Sequence, residues 1–223
     1  AIAAYKTGQI LTTNWISNLT PKEARKLDEE MDNLTVFWGG PTGGLHIHMN
    51  TSKAPFDAWR LRQAVQLAIH RQPIIETTSG GSDAMGYGIP EGFWFSNSAE
   101  EYANMVGFRE SSPGVKDQRD IDRALELLVE AGIPEGSGVK VQLTARNCCG
   151  YPDQAVQVKE QLKDVFGWDI TLRVMEASAG FDAYWAGDME MMVQASALNY
   201  MDPDGLFSNT VRGTVPQWIG GGR

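Results

Sequence analysis

The chain has 223 residues, a formal net charge of −9, 42% hydrophobic and 21% charged residues. That length buries one sizeable core, and the composition is ordinary for a folded domain, which excludes disorder throughout. An acidic chain without clustered Lys and Arg offers no nucleic-acid footprint, and no run of about 18 apolar residues is present to span a bilayer.

Residues 1–6 lack the basic and apolar regions of a secretory leader. They read as the last turns of a helix, with Gly8 past its end. Residues 220–223 follow no recognisable element, so the chain is expected to be a domain of a longer polypeptide. Thr20, Pro21 and Glu23 give a capping signature for a helix reaching about Met31. A β-prone stretch over Leu34–Trp38 precedes a Gly- and Pro-rich break at 39–44, and Leu45–Asn50 reads as a further strand. Asp57 is a candidate cap for a helix whose apolar face carries Leu61, Ala64, Val65, Ala68 and Ile69. Pro73 is expected to open a second short helix. Residues 77–113 show no sustained period and read as a long surface excursion.

Beyond Asp120 the periodicities sharpen. Ile121, Ala124, Leu125, Leu128 and Ala131 describe an amphipathic helix stopped by Gly132. Val139, Val141, Leu143 and Ala145 alternate as in a half-buried strand. Asp153 is a candidate cap for a helix bearing Ala155, Val158, Leu162, Val165 and Phe166. Trp168, Ile170, Leu172 and Val174 alternate again. A short helix around Phe181–Ala186 leads to a strand over Met189–Ala195. Strands and helices taken in turn predict an α/β fold, a mixed sheet flanked by helices.

Chemistry-bearing residues are few. Cys148 and Cys149 are the two cysteines; adjacent, they staple no distant segments. They are expected as free, partly buried thiols, or at most as a strained vicinal ring. His46 and His48 share one face of a strand, a spacing that suits either a metal or two ordinary hydrogen-bonded imidazoles; with no third ligand in view, no metal is assigned. His70 is expected near a helix carboxyl end, where its charge favours the dipole. No nucleophile elbow, metalloprotease helix or phosphate loop is present, so no catalytic residue and no cofactor are assigned. Seven tryptophans fit core filling and an aromatic-lined ligand cleft equally.

One constellation is specific. His48–Asp57, containing Asn50-Thr51 and Pro55-Phe56-Asp57, is followed by Arg62-Gln63-Ala64 and then Ala68-Ile69-His70-Arg71. It resembles the family 5 solute-binding proteins, which include the dipeptide- and oligopeptide-binding proteins of ABC importers. Ala124–Gly136, Val156–Val174 and Gly187–Pro203 resemble further family segments in the same order, as does Tyr5–Ile10. The resemblance implies one lobe of a periplasmic-binding-protein-like (type II) fold, residues 1–223 forming a single ligand-binding lobe of a two-lobed protein. It also implies capture of a peptide-like or other small polar ligand outside the cytoplasm, periplasmic or extracellular, with membrane association if the protein is a lipoprotein. The implied partner is an ABC permease, and a ligand-sensing regulatory domain is the alternative. Peptide binders of the family carry a carboxylate four residues before the proline of an Asp-Pro turn, where this chain has Asn199. An amide does not neutralise a peptide's ammonium, which opens the reading to neutral or polyol-like ligands. By family position and side-chain chemistry, Asn199 and Tyr200 are the expected polar anchors, Tyr184 or Trp185 an aromatic wall, and Arg146, on the loop after the Val139–Ala145 strand, an anion contact.

Overall fold

The computed structural model describes residues 2–12, 19, 21–36, 43–79, 89, 93–133, 138–197 and 202–204. Helix α1 (Ile2–Lys6) is followed by α2 (Pro21–Glu30); the Thr20 cap lies outside the described residues. Residues 34–36 form no strand, and 37–38 are also outside those described. Strand β1 (Gly43–Met49) leads to α3 (Trp59–Ala68) and α4 (Arg71–Ser79). Asp57 is not the cap of α3: that position is Ala58, whose backbone amide donates to the Asp57 carboxylate at 3.0 Å.

The described residues of the stretch 77–113 hold more regular structure than its lack of periodicity implies. The end of α4 runs into it, and α5 (Ala99–Asn104) begins on a complete capping box between Ser98 and Glu101. A small antiparallel hairpin of β2 (Glu110–Ser112) and β3 (Val115–Lys116) follows. Elements this short are fixed by caps and by what they pack on rather than by a repeating pattern.

Helix α6 (Gln118–Glu130) is capped by Asp117, whose carboxylate accepts from the Arg119 amide. Then come β4 (Lys140–Arg146), α7 (Tyr151–Phe166), β5 (Asp169–Met175), α8 (Ala177–Ala186) and β6 (Met191–Ala197). Gly150, not Asp153, occupies the α7 cap, in a left-handed conformation at φ 75° that a side chain adopts only with strain. Gly167 closes the same helix at φ 68°, its amide donating to Lys163 O.

The main sheet has the order β1-β6-β4-β5. Strand β4 runs parallel to both neighbours and β1 runs antiparallel to β6. The register decides which residues share a face. Leu143 pairs with Met191 and Ala145 with Val193; these join Val141 and Ile170 in the principal core beneath α7, whose Ala155, Val158, Leu162 and Phe166 are buried there. Helix α3 continues this layer and packs on α6, and Phe56, Phe166 and Trp168 fill its end with mutual ring contacts. The alternation read for β5 fades toward its end: Ile170 is buried while Val174 is exposed.

The motif residues that carry the family resemblance are structural. Asn50, buried, donates to Gly187 O and Met189 O and accepts from the Ser52 amide and hydroxyl, tying the end of β1 to the start of β6. Arg62 donates to the carbonyls of Phe56 and Asp57. His70 lies beyond the α3 carboxyl cap rather than serving its dipole. Its ring pairs with Glu110, and its backbone exchanges two hydrogen bonds with the Gln161 amide.

Candidate functional site

The even-numbered face of β4 and β6 differs from the core face. Thr144 pairs with Met192, and across the sheet His48 faces Met192 while His46 faces Gln194. A row of polar and sulfur-bearing side chains thus lies on the side opposite α7, and α8 covers part of it. The α8 start is fixed by Glu176, whose carboxylate accepts from the Ser178 and Ala179 amides and is thereby held below the usual carboxylate range. Its end is fixed by Gly187 in the left-handed region.

Consecutive residues Tyr184 and Trp185 leave α8 in different directions. Tyr184 is buried, packs edge-on against His48 with ring centroids 5.2 Å apart, and has its hydroxyl 3.3 Å from His48 Nδ1. Burial pushes its phenol up to about 12. Trp185 is half exposed and shares its helix face with Phe181, four residues earlier, at 5.9 Å between centroids. The aromatic wall read from the sequence as Tyr184 or Trp185 is therefore two things: Tyr184 is an inward strut, and Trp185 with Phe181 forms the accessible surface. Of the other described tryptophans, Trp168 fills core and Trp59 and Trp94 are exposed.

Arg146 is not on the loop beyond β4. It is the strand's last residue, paired with Met175 in the ladder, and only 8% exposed. Its Nε donates to Gln194 Oε1 at 3.0 Å and one terminal nitrogen to the Tyr151 hydroxyl at 3.4 Å. The guanidinium carbon sits 5.1 Å from the Tyr151 ring and 5.2 Å from the Phe181 ring. These partners orient the cation without neutralising it, and among the described residues no carboxylate forms an ion pair with it. A charge this far from water favours an anionic partner. Gln194 and Phe181 escaped the sequence reading; Gln194 meets Arg146 across 48 positions of chain, a proximity visible only once β4 and β6 are known to be neighbours.

His46 and His48 do share a face, with ring centroids 5.8 Å apart. Burial lowers both imidazoles, His48 to about 3 with a further push from His46. Among the described residues no group of three or more His, Cys, Asp or Glu is arranged to hold a metal ion. Cys148 is half-buried, whereas Cys149 is exposed rather than partly buried; both are free thiols. Asn199 and Tyr200 follow β6 in sequence and lie outside the described residues. Beyond them the Asp202 carboxylate accepts from the Asp204 amide, ordinary turn chemistry.

Helix α8 approaches Arg146 closely because Gly180 lacks a side chain: a Cβ there would stand 2.6 Å from Arg146 Cγ and 3.4 Å from Met175 Cβ. Gly180→Ala is therefore expected to destabilise the protein. Overpacking costs about 1–3 kcal/mol, and the better helix propensity of Ala offsets at most about 1 kcal/mol of it. A urea midpoint equal to or above the parent's would show that α8 is not seated as described.

In open α/β sheets, ligands occupy the crevice outside the carboxyl ends of the strands. The ends of β4, β5 and β6 lie together here because the three strands run parallel, and Arg146 stands among them. A mixed sheet flanked by helices with such an edge is one lobe of a periplasmic-binding-protein-like type II fold. The chain matches the family described as "Bacterial extracellular solute-binding proteins, family 5 Middle" over residues 1–217 and belongs to it.

Individual relatives agree. The periplasmic oligopeptide-binding protein OppA of Haemophilus influenzae is 25% identical over 142 residues, 64% of this chain and 24% of the relative. The fold is shared with OppA of Burkholderia pseudomallei (TM-score 0.78, 16% identity, 99% of this chain and 41% of that one). It is shared too with AgaA of A. tumefacien R10, solved in complex with agropinic acid (TM-score 0.71, 22% identity, 93% and 39%). The chain thus spans at most about two fifths of these relatives. No helix among the described residues is long and apolar enough to cross a membrane.

Proposed function

We propose that this chain is one ligand-binding lobe of a longer, two-lobed solute-capture protein acting outside the cytoplasm and serving an ABC permease. The ligand lies against the carboxyl edge of β4–β6, and closure of the second lobe over it signals the permease by hinge motion. Arg146 is the anion contact, Phe181 and Trp185 the apolar wall, and Asn199 and Tyr200 the polar anchors supplied by the segment after β6. Tyr184 supports the site from within. The solute class is a small polar molecule bearing a carboxylate.

The observation that carries this reading is the buried Arg146 guanidinium. It is aligned by Gln194 and Tyr151 and has no acidic partner among the described residues. The family of the chain supports the same assignment, and relatives bind cargo as different as oligopeptides and agropinic acid by their names and titles. Neither capture nor release makes or breaks a bond, so the site needs orientation and charge complementarity rather than a nucleophile.

The test is a thermal-shift screen of the protein against peptides, amino-acid conjugates and neutral oligosaccharides, followed by calorimetry on the hits. Arg146→Gln is expected to weaken a carboxylate ligand by about 1.5–3 kcal/mol, the size of a hydrogen bond to a charged group, or about ten- to a hundredfold. It should leave neutral analogues unchanged. A carboxylate ligand bound equally by parent and variant would remove Arg146 from the site.

A further inference from the structure

The two cysteines stand at the turn that joins β4 to α7, next to the site but without a part in it. Asn147 donates its amide to Met175 O and Cys148 donates to Arg146 O, while the Tyr151 amide donates to Cys148 O. The turn is thus pinned on both sides of the pair. Cys149 is the single residue other than glycine with a left-handed backbone among the described residues, at φ 58°, and it is exposed. A non-glycine residue in that region stores strain, a feature that clusters at functional positions. The Cys148 thiol is half-buried, and burial pushes it up to about 11, with the neighbouring Arg146 charge pulling the other way. No third cysteine exists in the chain, so any disulfide formed within it joins these two.

We infer that Cys148 and Cys149 form a redox-active vicinal dithiol, a modification site that accepts oxidising equivalents from a low-molecular-weight disulfide. The step balances as thiol–disulfide exchange. The exposed Cys149, as thiolate, attacks one sulfur of the disulfide and releases the first thiolate. The mixed disulfide so formed is then attacked by Cys148, also as thiolate. The Cys148–Cys149 bond forms, the bond to the small thiol breaks, and the two protons lost by the protein end on two molecules of small thiol. The protein pair is oxidised by two electrons and the reagent reduced by two.

Neighbouring Cα atoms across a trans peptide are about 3.8 Å apart, shorter than the usual range of about 4.4–6.8 Å for bridged cysteines. Closure therefore strains the turn and gives a bond that mild reductant reopens, as strained and exposed disulfides are the labile ones. Tyr151, two residues beyond Cys149, is the residue whose hydroxyl accepts from Arg146. Oxidation at this turn thus reaches the Arg146 guanidinium through one hydrogen bond. The chemistry itself does not rest on the proposed transport role, because it is read from mass alone.

The experiment treats the reduced protein with oxidised glutathione, quenches with an alkylating reagent and weighs the tryptic peptide Asn147–Lys159, which contains both cysteines. The parent is expected to yield a peptide lighter by two hydrogens, free of glutathione and of alkyl groups, and restored by brief exposure to reduced glutathione. Cys148→Ser should stop at the mixed disulfide on Cys149, and Cys149→Ser should gain glutathione far more slowly. The inference is overturned if the parent peptide keeps both thiols alkylatable, if it retains glutathione to the same extent as Cys148→Ser, or if oxidation yields only dimers between chains.

Discussion

Replacing Asp120 with alanine is expected to destabilise the protein by about 3–5 kcal/mol, the cost of breaking a buried ion pair from one side. Asp120 is fully buried on α6, although it begins an ordinary-looking amphipathic helix in the sequence. One carboxylate oxygen accepts from the Arg109 guanidinium; the other accepts from the Gly107 amide at 2.9 Å and from Lys116 Nζ at 3.4 Å. Lys116 also donates to Gly107 O, and Arg71 reaches the same carbonyl while lying over the Phe108 ring. One carboxylate therefore holds the turn at 105–109, the β2–β3 hairpin and the start of α6 together. Alanine leaves the Arg109 guanidinium and the Gly107 amide without their acceptor, and Lys116 without its counter-charge.

The pH dependence of that variant is a second check. Burial pulls Lys116 down to about 8 despite the pull of Asp120 in the other direction. A base whose folded pKa is depressed carries its penalty below that value and sheds it as pH rises toward the unfolded value. Without Asp120 the depression deepens, so Asp120→Ala should lose less stability at alkaline than at neutral pH. Urea melts of Asp120→Ala and of a surface control, Arg123→Ala, separate the cases. The control breaks only exposed pairs to Glu126 and Glu130 and should cost no more than about 1 kcal/mol. Equal losses in the two variants would remove Asp120 from its structural role.

Where the chain repeats a period, the sequence announces the element. Leu128 and Ala124 mark α6, Val158 and Leu162 mark α7, and Val141 and Leu143 mark β4; all are buried as the period requires. Helix α5 and the β2–β3 hairpin are too short to show a period, and their stability comes from the Ser98 capping box and from the Asp120 anchor. The caps of α3 and α7 escaped for another reason. Asp57 and Asp153 have the right chemistry, but Ala58 and Gly150 have the right backbone, and Asp57 only reaches back to the Ala58 amide. Within the candidate site, Arg146 stood out as a cation near a strand end. Its partners were hidden because Gln194 meets it through the β4–β6 neighbourhood and Phe181 through the close seat that Gly180 gives α8. Side-chain type is local information, whereas strand order is not.

Strand order also places two imidazoles where acid should act on them, and taking the protein from neutral pH to about pH 5 is expected to cost about 2 kcal/mol through His48 alone. Its ring is packed under Tyr184 and beside His46, and burial lowers its folded pKa to about 3 from an ordinary 6.5. For a base depressed on folding, the unfolded chain takes up the proton first. Stability is therefore full above about 6.5 and falls with pH until the folded pKa is reached, at about 1.4 kcal/mol per unit. His46, lowered by burial alone, adds in the same direction. The carboxylates do not mimic this loss. Asp117, held at about 2 by Arg119, gives up its contribution only as pH falls from about 3.8 to about 2, and a lowered glutamate such as Glu176 gives up its own below about 4.5. His48→Gln should therefore be less stable at neutral pH, having lost the Tyr184 contact, yet show a flatter profile between about pH 5 and 7 in urea or thermal melts. A variant with the parent's slope would place the acid-sensitive group elsewhere. A proton on His48 lies under α8, the helix that carries Phe181 against Arg146. The acid loss should therefore be accompanied by greater exposure of Trp185 to quenchers, since the helix is held down where the new charge would form.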